Sequence, residues 1–490
     1  MFETIEMLPF SFWVGTALLF YGIGWAARRI ATGIGLPMLA VFVTVFAWYM
    51  GDAFYNDYAN YHVPLFSAQI LEDAWWQVAW FVAVFFLLTP VLNRKINAPY
   101  LRQRSHIFQM FRKGVDDPLF QRHLHVLFKG CLIVWGCLTI IAVIRLQGQS
   151  LSFFFPFLGE RADPWGRGRI GGGIDAFLSL AGYLQMFVSA TFGIVAALVK
   201  DRRIRFFAIC LCLVTWPYYI FGRTRNIMLS VVIPPVLAWV FLRLRGNLVK
   251  KVSLLFACFL VVNAWFGFVI SNRSDKTIAT AFVQGDFDFE ESQTVRHEGL
   301  NMFEELCWIN FFFKEGTYNP PWGERYFAEL TNPIPRSLWP GKPTIGIDYA
   351  VARGQALEES GEGAGATIST GMIGQGVVNF RQVLGPAFAA LLMSLWAVLL
   401  CRLDLQGTLI GRLPLFALGL ILTFNLGRDI TFITLYTFFF GLIIIWWMER
   451  SWARPKRKRR KIGTRGIKSE IRMQNAEVRQ PGGLSLNDER

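Results

Sequence analysis

The chain has 490 residues, of which 54% are hydrophobic and 17% are charged, and its formal net charge is +15. Soluble chains carry about 25% charged residues, so this composition excludes a soluble enzyme, a disordered chain and a secreted disulfide scaffold. Its mean hydropathy of +0.39 predicts a polytopic membrane protein. The positive charge then indicates loop orientation, and we expect no nucleic-acid partner.

Eleven apolar segments follow one another along the chain, each near the ~20 residues that a spanning helix needs. Acids and no Lys or Arg precede the first segment, so we expect it to remain a helix rather than act as a cleaved signal peptide. The segments are 7–25, 31–50, 74–92, 126–144, 174–199, 204–221, 227–242, 252–270, 386–400, 413–426 and 430–447. This pattern predicts an all-α polytopic membrane protein with eight spanning helices in 1–270 and three in 385–448.

Positive charge alternates along the connections between these segments. Lys and Arg concentrate in five connections and a tail: 28–29, 93–125, 200–205, 243–251, 402–412 and 449–490. Because basic connections stay in the cytoplasm, the N-terminus is predicted outside and the C-terminus inside. The tail is predicted to be disordered and to lie on membrane lipids as an orientation anchor, and contact with a chain-length regulator is the alternative.

The longest connection, 271–384, holds nine Lys and Arg against fifteen Asp and Glu and is predicted to lie on the outer, periplasmic side. Its many aromatic residues favour an ordered loop domain. Within it, 298–313 carries apolar side chains at roughly helical spacing. That spacing is typical of an amphipathic helix at the membrane interface or of a helix packed in the loop domain, and both interpretations stay open.

Three outward segments present basic side chains that suit phosphate recognition. The short turn 221–226 carries Arg223 and Arg225, for which snorkelling to lipid phosphates is the alternative. The turn 425–430 carries Arg428, which its neighbour Asp429 could neutralise. The proline-stiffened stretch 332–343 presents Arg336, Trp339 and Lys342. The Gly-rich run that follows lacks the Gly-Lys-Ser/Thr ending of a phosphate loop.

The order of these features resembles the Wzy-type O-antigen polymerases, bacterial enzymes that join oligosaccharide repeat units. The turn 221–226 is similar to a Gly-Arg-rich element of that family, 334–343 to its Pro-Arg…Lys-Pro element, and 371–385 to the stretch before a late helix. The family's Arg-x10-Gly pattern is matched by 161–172, outside the longest connection. No His-Asn/Ser motif of the related O-antigen ligases is found, which favours a polymerase.

The resemblance implies a GT-C-like glycosyltransferase of the bacterial inner membrane that acts on undecaprenyl-diphosphate-linked oligosaccharides to build an O-antigen, a capsule or an exopolysaccharide. A hydroxyl of one lipid-linked unit attacks the anomeric carbon of another, and undecaprenyl diphosphate leaves. Basic side chains would meet the charge that develops on the diphosphate, so we expect no cofactor. The seven cysteines match no zinc pattern, so we expect no metal site either.

Three sets of residues receive roles under this interpretation. The expected diphosphate-binding residues are Arg223, Arg225, Arg336, Lys342, Arg353 and Arg428. The expected catalytic residues, one of which would be the general base, are Asp348, Glu362, His297 and Glu298. The expected sugar-stacking residues are Trp322, Tyr326, Trp339 and Tyr349, each of which is alternatively a packing residue.

Three other functions stay open. A ligase would move a finished glycan onto another acceptor. A flippase or exporter of lipid-linked glycans would typically show internal repeats and interrupted helices, and the sequence predicts neither. A structural or assembly factor would depend on none of the outward arginines.

Overall fold

A computed structural model describes residues 2–113, 115–146, 153–155, 164–165, 180–221, 225–244, 246–271, 301–331, 334, 338–343, 347–354, 368–407 and 411–452. Within these ranges the regular structure is entirely helical. The α-helices are α1 (Phe2–Met7), α2 (Phe10–Arg28), α3 (Gly35–Val45), α4 (Gly51–Tyr55), α5 (His62–Leu65), α6 (Ala68–Ile96), α7 (His106–Lys113), α8 (Pro118–Leu146), α9 (Ala181–Leu198), α10 (Arg202–Thr215), α11 (Pro217–Ile220), α12 (Arg225–Ala238), α13 (Leu248–Ser271), α14 (Met302–Lys314), α15 (Glu324–Thr331), α16 (Ile347–Ala352), α17 (Gly371–Leu405), α18 (Arg412–Leu426) and α19 (Phe432–Trp452). Short 3-10 turns cover Ile30–Thr32 and Ala98–Tyr100, and π-helical turns cover Phe46–Met50 and Trp239–Arg243.

Eight helical segments in the described ranges are long and apolar enough to cross a membrane, which confirms the prediction of an all-helical, multi-pass membrane protein. They are Phe10–Arg28, Gly35–Phe54, Ala68–Ile96, Phe120–Leu146, Ala181–Leu198, Arg202–Ile220, Val249–Phe268 and Gly371–Leu405. Helices also cover the other three predicted segments, as α12, α18 and α19, and the first two of these are shorter. Eleven crossings and their orientation stay predictions.

Helices α6 and α17 run side by side through the middle of the bundle. Thr89 Oγ1 donates a hydrogen bond to Ser394 Oγ at 2.9 Å, and Asn97 Nδ2 donates to the carbonyl of Val398 at 3.0 Å. Because lipid tails are as apolar as leucine, such polar contacts and close packing stabilise helix pairs in a membrane. These two helices form the frame on which the other elements lie.

One end of the bundle collects the connections that the charge pattern places on a common side. We call it the basic end; it comprises 29–35, 94–108, 199–205 and 402–412. The backbone N–H of Ser105 donates to the carbonyl of Ala31 at 3.0 Å, and that of Ile107 donates to Asp404 Oδ1 at 2.9 Å. Three of the four connections are therefore joined directly to one another.

The opposite end, which we call the loop end, comprises 50–62, the described parts of 301–354, and 379–383. Here α14 packs against α6, where Phe303 stacks on Trp75 with ring centroids 4.0 Å apart. Asn310 and Gln77 exchange two side-chain hydrogen bonds of 2.7 and 3.1 Å. The described part of the longest connection thus shares one hydrophobic core with the spanning helices.

The helix predicted over 298–313 is present as α14, and its first turn is held by a side chain from another helix. Asp52 Oδ2 accepts the backbone N–H groups of Phe303 and Glu304 at 2.9 and 3.0 Å. The first N–H groups of a helix have no partner within it, so this buried carboxylate fixes where α14 begins. Its side chains Leu306 and Ile309 are buried, so α14 lies within the protein core.

Helix α17 is interrupted, so the sequence expectation of no interrupted helix is wrong. Phe380 (φ −132°) and Arg381 (φ 65°, ψ −175°) leave helical geometry. A Cβ placed on Gly376 would lie 2.2 Å from the carbonyl oxygen of Gly385, whereas nine residues of straight helix span ~13.5 Å. The chain therefore folds back at the break, and glycine at both positions lets the two backbones touch. We call 371–379 the re-entrant helix.

The re-entrant helix begins inside the bundle rather than at its end. The N–H of Met372 donates to the carbonyl of Gly427 at 3.0 Å, and the next N–H donates to Tyr49 Oη at 2.9 Å. Gly427 packs against Thr44, near the middle of the spanning segment Gly35–Phe54. Irregular backbone at this depth is tolerated where protein surrounds it and supplies partners for its N–H groups.

Candidate functional site

A group of buried and partly buried polar side chains lies where α15 meets the turn 427–431, beside the re-entrant helix. We call it the buried polar cluster; its members are Arg325, Tyr326, Glu329, Asp429 and Tyr436. Arg325 and Glu329 stand four residues apart on α15, so they share one face of it. They are only 7% and 3% exposed. The charges of Asp429 and Arg325 both act on Glu329, which shows that the cluster is electrostatically coupled.

Four buried atoms of this cluster have no hydrogen-bond partner among the described residues. They are Arg325 Nη1, Tyr326 Oη, Glu329 Oε2 and Tyr436 Oη. An unsatisfied buried polar atom costs roughly 1–3 kcal/mol. A polar ligand that offers partners to these atoms would therefore be bound favourably, and the cluster carries the signature of a binding or reaction site.

Glu329 is the titratable centre of the cluster. Burial, followed by the charge of Asp429, raises the pKa of Glu329 to about 8. The backbone N–H of Phe432 and the charge of Arg325 act in the opposite direction. A carboxyl group with a pKa near neutrality can both accept and return a proton, which is what general acid–base chemistry needs.

Arg325 links this buried cluster to a more exposed carboxylate, the predicted catalytic residue Asp348. Arg325 Nε lies 3.9 Å from Asp348 Oδ1, and Tyr318 Oη donates to Asp348 Oδ2. The Asp348 side chain is 38% exposed. Burial, followed by the charge of Asp348, raises the pKa of Tyr318, so its hydroxyl stays protonated as a donor. Asp348 is thus placed at the edge of the cluster with one cation beside it.

Two predicted site residues, Tyr349 and Arg353, belong to a second hydrogen-bonding network inside the protein. Tyr349 Oη and Arg353 Nη2 donate to the two oxygens of buried Glu305 at 2.8 and 2.9 Å. The Arg353 guanidinium also lies over the Trp308 ring, with Cζ 4.4 Å from its centroid. Tyr349 is fully buried. This geometry uses Tyr349 and Arg353 to compensate a buried carboxylate.

The turn 427–431 holds the predicted residue Arg428. Arg428 Nε donates to Ser369 Oγ at 2.7 Å, while the N–H of Thr370 donates to Asp429 Oδ1 at 3.1 Å. Arg428 is exposed and Asp429 is partly buried. Arg428 and Asp429 therefore both bind the segment that precedes the re-entrant helix. Part of the Arg428 guanidinium remains accessible.

The remaining described candidates make local packing contacts, and the N–H of Lys342 donates to the carbonyl of Trp339 at 3.3 Å. Lys342 is buried and its Nζ donates to the carbonyl of Ile334 at 2.6 Å, which closes the proline-rich loop. Trp339 packs edge-on against Phe327, with centroids 6.1 Å apart. Trp322 is 62% exposed. Tyr326 stacks on Phe380 of the interruption in α17, with centroids 6.2 Å apart.

Several predicted site residues lie outside the described residues. Arg223, His297, Glu298, Arg336 and Glu362 fall in ranges that are not described, as does the side chain of Arg225, although its backbone begins α12. Their assigned roles stay predictions.

Arg325 and Glu329 were missed by reasoning from the sequence. The local signal was present, since an Arg and a Glu four residues apart in 324–331 mark one helix face. Their burial depends on the turn 427–431, about a hundred residues further along the chain, and no local pattern reveals that contact.

Among the described residues, no group of three or more His, Cys, Asp or Glu side chains is arranged to hold a metal ion. Comparisons with protein-family models, curated proteins and solved structures find no match for this chain. The fold and the site therefore define its class: an all-helical multi-pass membrane protein with a buried, charged cluster beside a re-entrant helix.

Proposed function

We propose that this protein is a glycosyltransferase that polymerises undecaprenyl-diphosphate-linked oligosaccharide repeat units into a surface polysaccharide, on the periplasmic face of a bacterial inner membrane. The resemblance of its turns and proline-rich loop to the Wzy-type polymerases supports the substrate class. The observation that carries the proposal is the pair Arg325 and Glu329, both buried, on one helix face, each with an unused hydrogen-bonding atom.

The chemistry needs a base for the acceptor and a cation for the leaving group. Glu329 takes the proton from the acceptor hydroxyl as its oxygen bonds to the anomeric carbon of the donor. The bond between that carbon and the diphosphate oxygen breaks with its electron pair, and undecaprenyl diphosphate departs. Arg325 stabilises the charge on the diphosphate through its free Nη1 atom. Asp348 orients Arg325 from the exposed edge of the cluster.

The interrupted helix α17 supports a second candidate, a flippase or exporter of lipid-linked glycans. Transporters commonly use discontinuous helices with irregular backbone near the middle of the membrane. Here the re-entrant helix meets Gly427 beside Thr44, in the middle of a spanning segment. An exporter would use the same charged groups to bind the diphosphate without breaking a bond to it.

One assay with the purified full-length protein separates the two functions. Detergent-solubilised protein is incubated with lipid-linked repeat units and the products are resolved on a gel. A polymerase produces a ladder of longer glycans although no membrane separates two compartments. An absent ladder, together with translocation of the same substrate in proteoliposomes, would replace the polymerase proposal with the exporter.

A further inference from the structure

A cavity of about 520 Å³ opens at the loop end, outside the buried polar cluster. It lies between the start of α6, the end of α14 and the interruption in α17. Eight polar or charged side chains line it: Gln69, Asp73, Asn310, Lys314, Tyr318, Asn319, Arg381 and Gln382. Neither of its two cations belongs to any set of site residues predicted from the sequence.

The two cations of the cavity are available to a ligand. Lys314 and Arg381 are exposed, and no hydrogen bond or ion pair of either side chain is found within the described ranges. The charges of Glu72 and Lys314 both act on Asp73, in opposite directions. Among the side chains that line the cavity, two cations face one carboxylate, which favours an anion with several oxygens.

The backbone holds Arg381 at the cavity edge in a conformation that normally requires glycine. Its φ of 65° with ψ of −175° is strained for a residue with a Cβ. The contact between Gly376 and Gly385 fixes the fold-back around it. Gln382 Nε2 donates to Asn310 Oδ1 at 3.0 Å, which ties the residue after Arg381 to α14. Such strain persists where the surroundings over-determine it, and it is concentrated at ligand-binding sites.

An apolar strip leads away from the cavity along the outside of the bundle. Trp76, Trp80, Val383 and Leu384 are 43%, 45%, 67% and 59% exposed. Asp73 and Trp80 lie two turns apart on α6, and Trp80 Nε1 donates to the carbonyl of Val383 at 3.0 Å, so the strip spans both helices. An acyl or prenyl chain could lie on this strip while its headgroup occupies the cavity.

We propose that this cavity binds the diphosphate headgroup of a lipid carrier, with Lys314 and Arg381 on the phosphate oxygens and the prenyl chain along the Trp76–Trp80 strip. The ligand's identity rests on the proposed function, because a polymerase must hold two lipid-linked substrates at once. The cavity adjoins the buried polar cluster through Tyr318, which lines it and donates to Asp348. One lipid-linked substrate occupies the cavity while the other reacts at the cluster.

Binding is tested with full-length protein in nanodiscs of neutral lipid, by calorimetric titration with farnesyl diphosphate. The double variant Lys314→Gln/Arg381→Gln should bind the probe at least ~10-fold more weakly, which corresponds to the loss of charge-assisted hydrogen bonds. The matched control Lys95→Gln/Arg102→Gln removes two exposed cations at the basic end and should bind as the wild type does. Unchanged affinity of the first double variant would overturn the site.

Two further probes and one further variant complete the test. Inorganic pyrophosphate should bind more weakly than farnesyl diphosphate, and equal affinities would exclude the apolar strip. Phosphatidylglycerol that competes equally well would identify an ordinary lipid-phosphate contact and overturn the carrier proposal. If the double variant fails to fold, the single variant Arg381→Gly is used instead. It removes the charge at a backbone position that glycine adopts without strain, so it should weaken binding without loss of the fold.

The binding and elongation results separate the two proposals. If farnesyl diphosphate binding depends on Lys314 and Arg381 but the wild-type protein elongates no glycan, the binding site is supported and the polymerase proposal is overturned. If the wild-type protein elongates glycans but Lys314→Gln/Arg381→Gln binds farnesyl diphosphate as tightly as the wild type does, the proposed site is wrong and the polymerase proposal is supported.

Discussion

The basic end and the loop end of the bundle carry charge in opposite ways. At the basic end, Lys200 pairs with Asp116 at 2.8 Å while both side chains stay more than half exposed. Arg243 Nη1 donates to the carbonyl of Ala197 at 2.9 Å, in the last turn of α9, where helix carbonyls lack partners. Lys200 thus keeps an exposed partner and Arg243 caps a helix end, whereas Asp404 at the same end is buried, with Oδ1 accepting the N–H of Ile107.

At the loop end several charged side chains are buried with atoms that lack partners among the described residues, while Lys314 and Arg381 stay exposed. Glu305 is enclosed by Tyr349 and Arg353, and it remains only 4% exposed. Arg325 and Glu329 are buried with unused atoms. Burying a charge costs several kcal/mol unless pairing offsets the cost, so this end retains groups that stability alone would not favour. We infer from this difference that function is concentrated at the loop end. Variants at the loop end should therefore have larger effects than matched variants at the basic end.

The largest effect is expected from Arg325→Gln. Loss of a preorganised cation at the leaving group should lower the elongation rate by ~10²–10³-fold, measured with purified protein and lipid-linked repeat units. Arg104→Gln removes an exposed arginine at the basic end and should elongate at the wild-type rate. Equal rates in the two variants would remove Arg325 from the mechanism.

Arg353→Gln should destabilise the folded protein by about 3–5 kcal/mol, because Glu305 would remain buried without its cation. Lys200→Gln breaks the exposed pair at the basic end and should cost about 0–1 kcal/mol. Thermal unfolding in detergent compares the two variants, and similar melting temperatures would contradict the contrast between the ends.

Gly376→Ala should destabilise the protein by about 1–3 kcal/mol, since the new Cβ would overlap the Gly385 carbonyl. Gly136→Ala is the matched control on α8, where a Cβ meets nothing within 4 Å, and alanine favours the helix there. Folded yield and thermal unfolding measure both variants. A Gly376→Ala protein as stable as the control would mean that the fold-back is not tightly packed.

The elongation rate should depend on pH through Glu329. Its pKa of about 8 lies above the ordinary value, so the native state holds this proton more tightly than the unfolded state does. The base form therefore accumulates as pH rises, and the rate should increase up to ~10-fold per unit below pH 8 and level off above it. Over the same range Glu329 makes the fold less stable, by up to about 1.4 kcal/mol per unit. A flat profile from pH 6 to 8 would exclude Glu329 as the base.

The sequence predicts the helices well because each spanning segment is a local feature. It also predicts which side of the membrane the long connection and the basic connections occupy, and that orientation stays a prediction. It misses the interruption in α17, although 371–385 is similar to the stretch that precedes a late helix in the Wzy-type polymerases. The fold-back depends on Gly376 and Gly385 meeting across a turn.

The candidate site is predicted less well for the same reason. Asp348 lies beside Arg325 of the buried polar cluster and its catalytic role stays a prediction, whereas Tyr349 and Lys342 are occupied by internal hydrogen bonds. Glu329 acquires its perturbed pKa from burial against a turn that is distant in sequence. Charge type can be read locally, whereas burial and missing partners are properties of the tertiary fold.

The central claim is that the buried polar cluster performs glycan transfer, and the most direct test is elongation by Glu329→Gln beside Glu315→Gln. Both changes replace a carboxyl group by an amide at the loop end, but Glu329 is buried while Glu315 is exposed. We predict that the purified Glu315→Gln protein forms the full glycan ladder and that Glu329→Gln, at equal folded yield, forms none. A full ladder from Glu329→Gln would contradict the account.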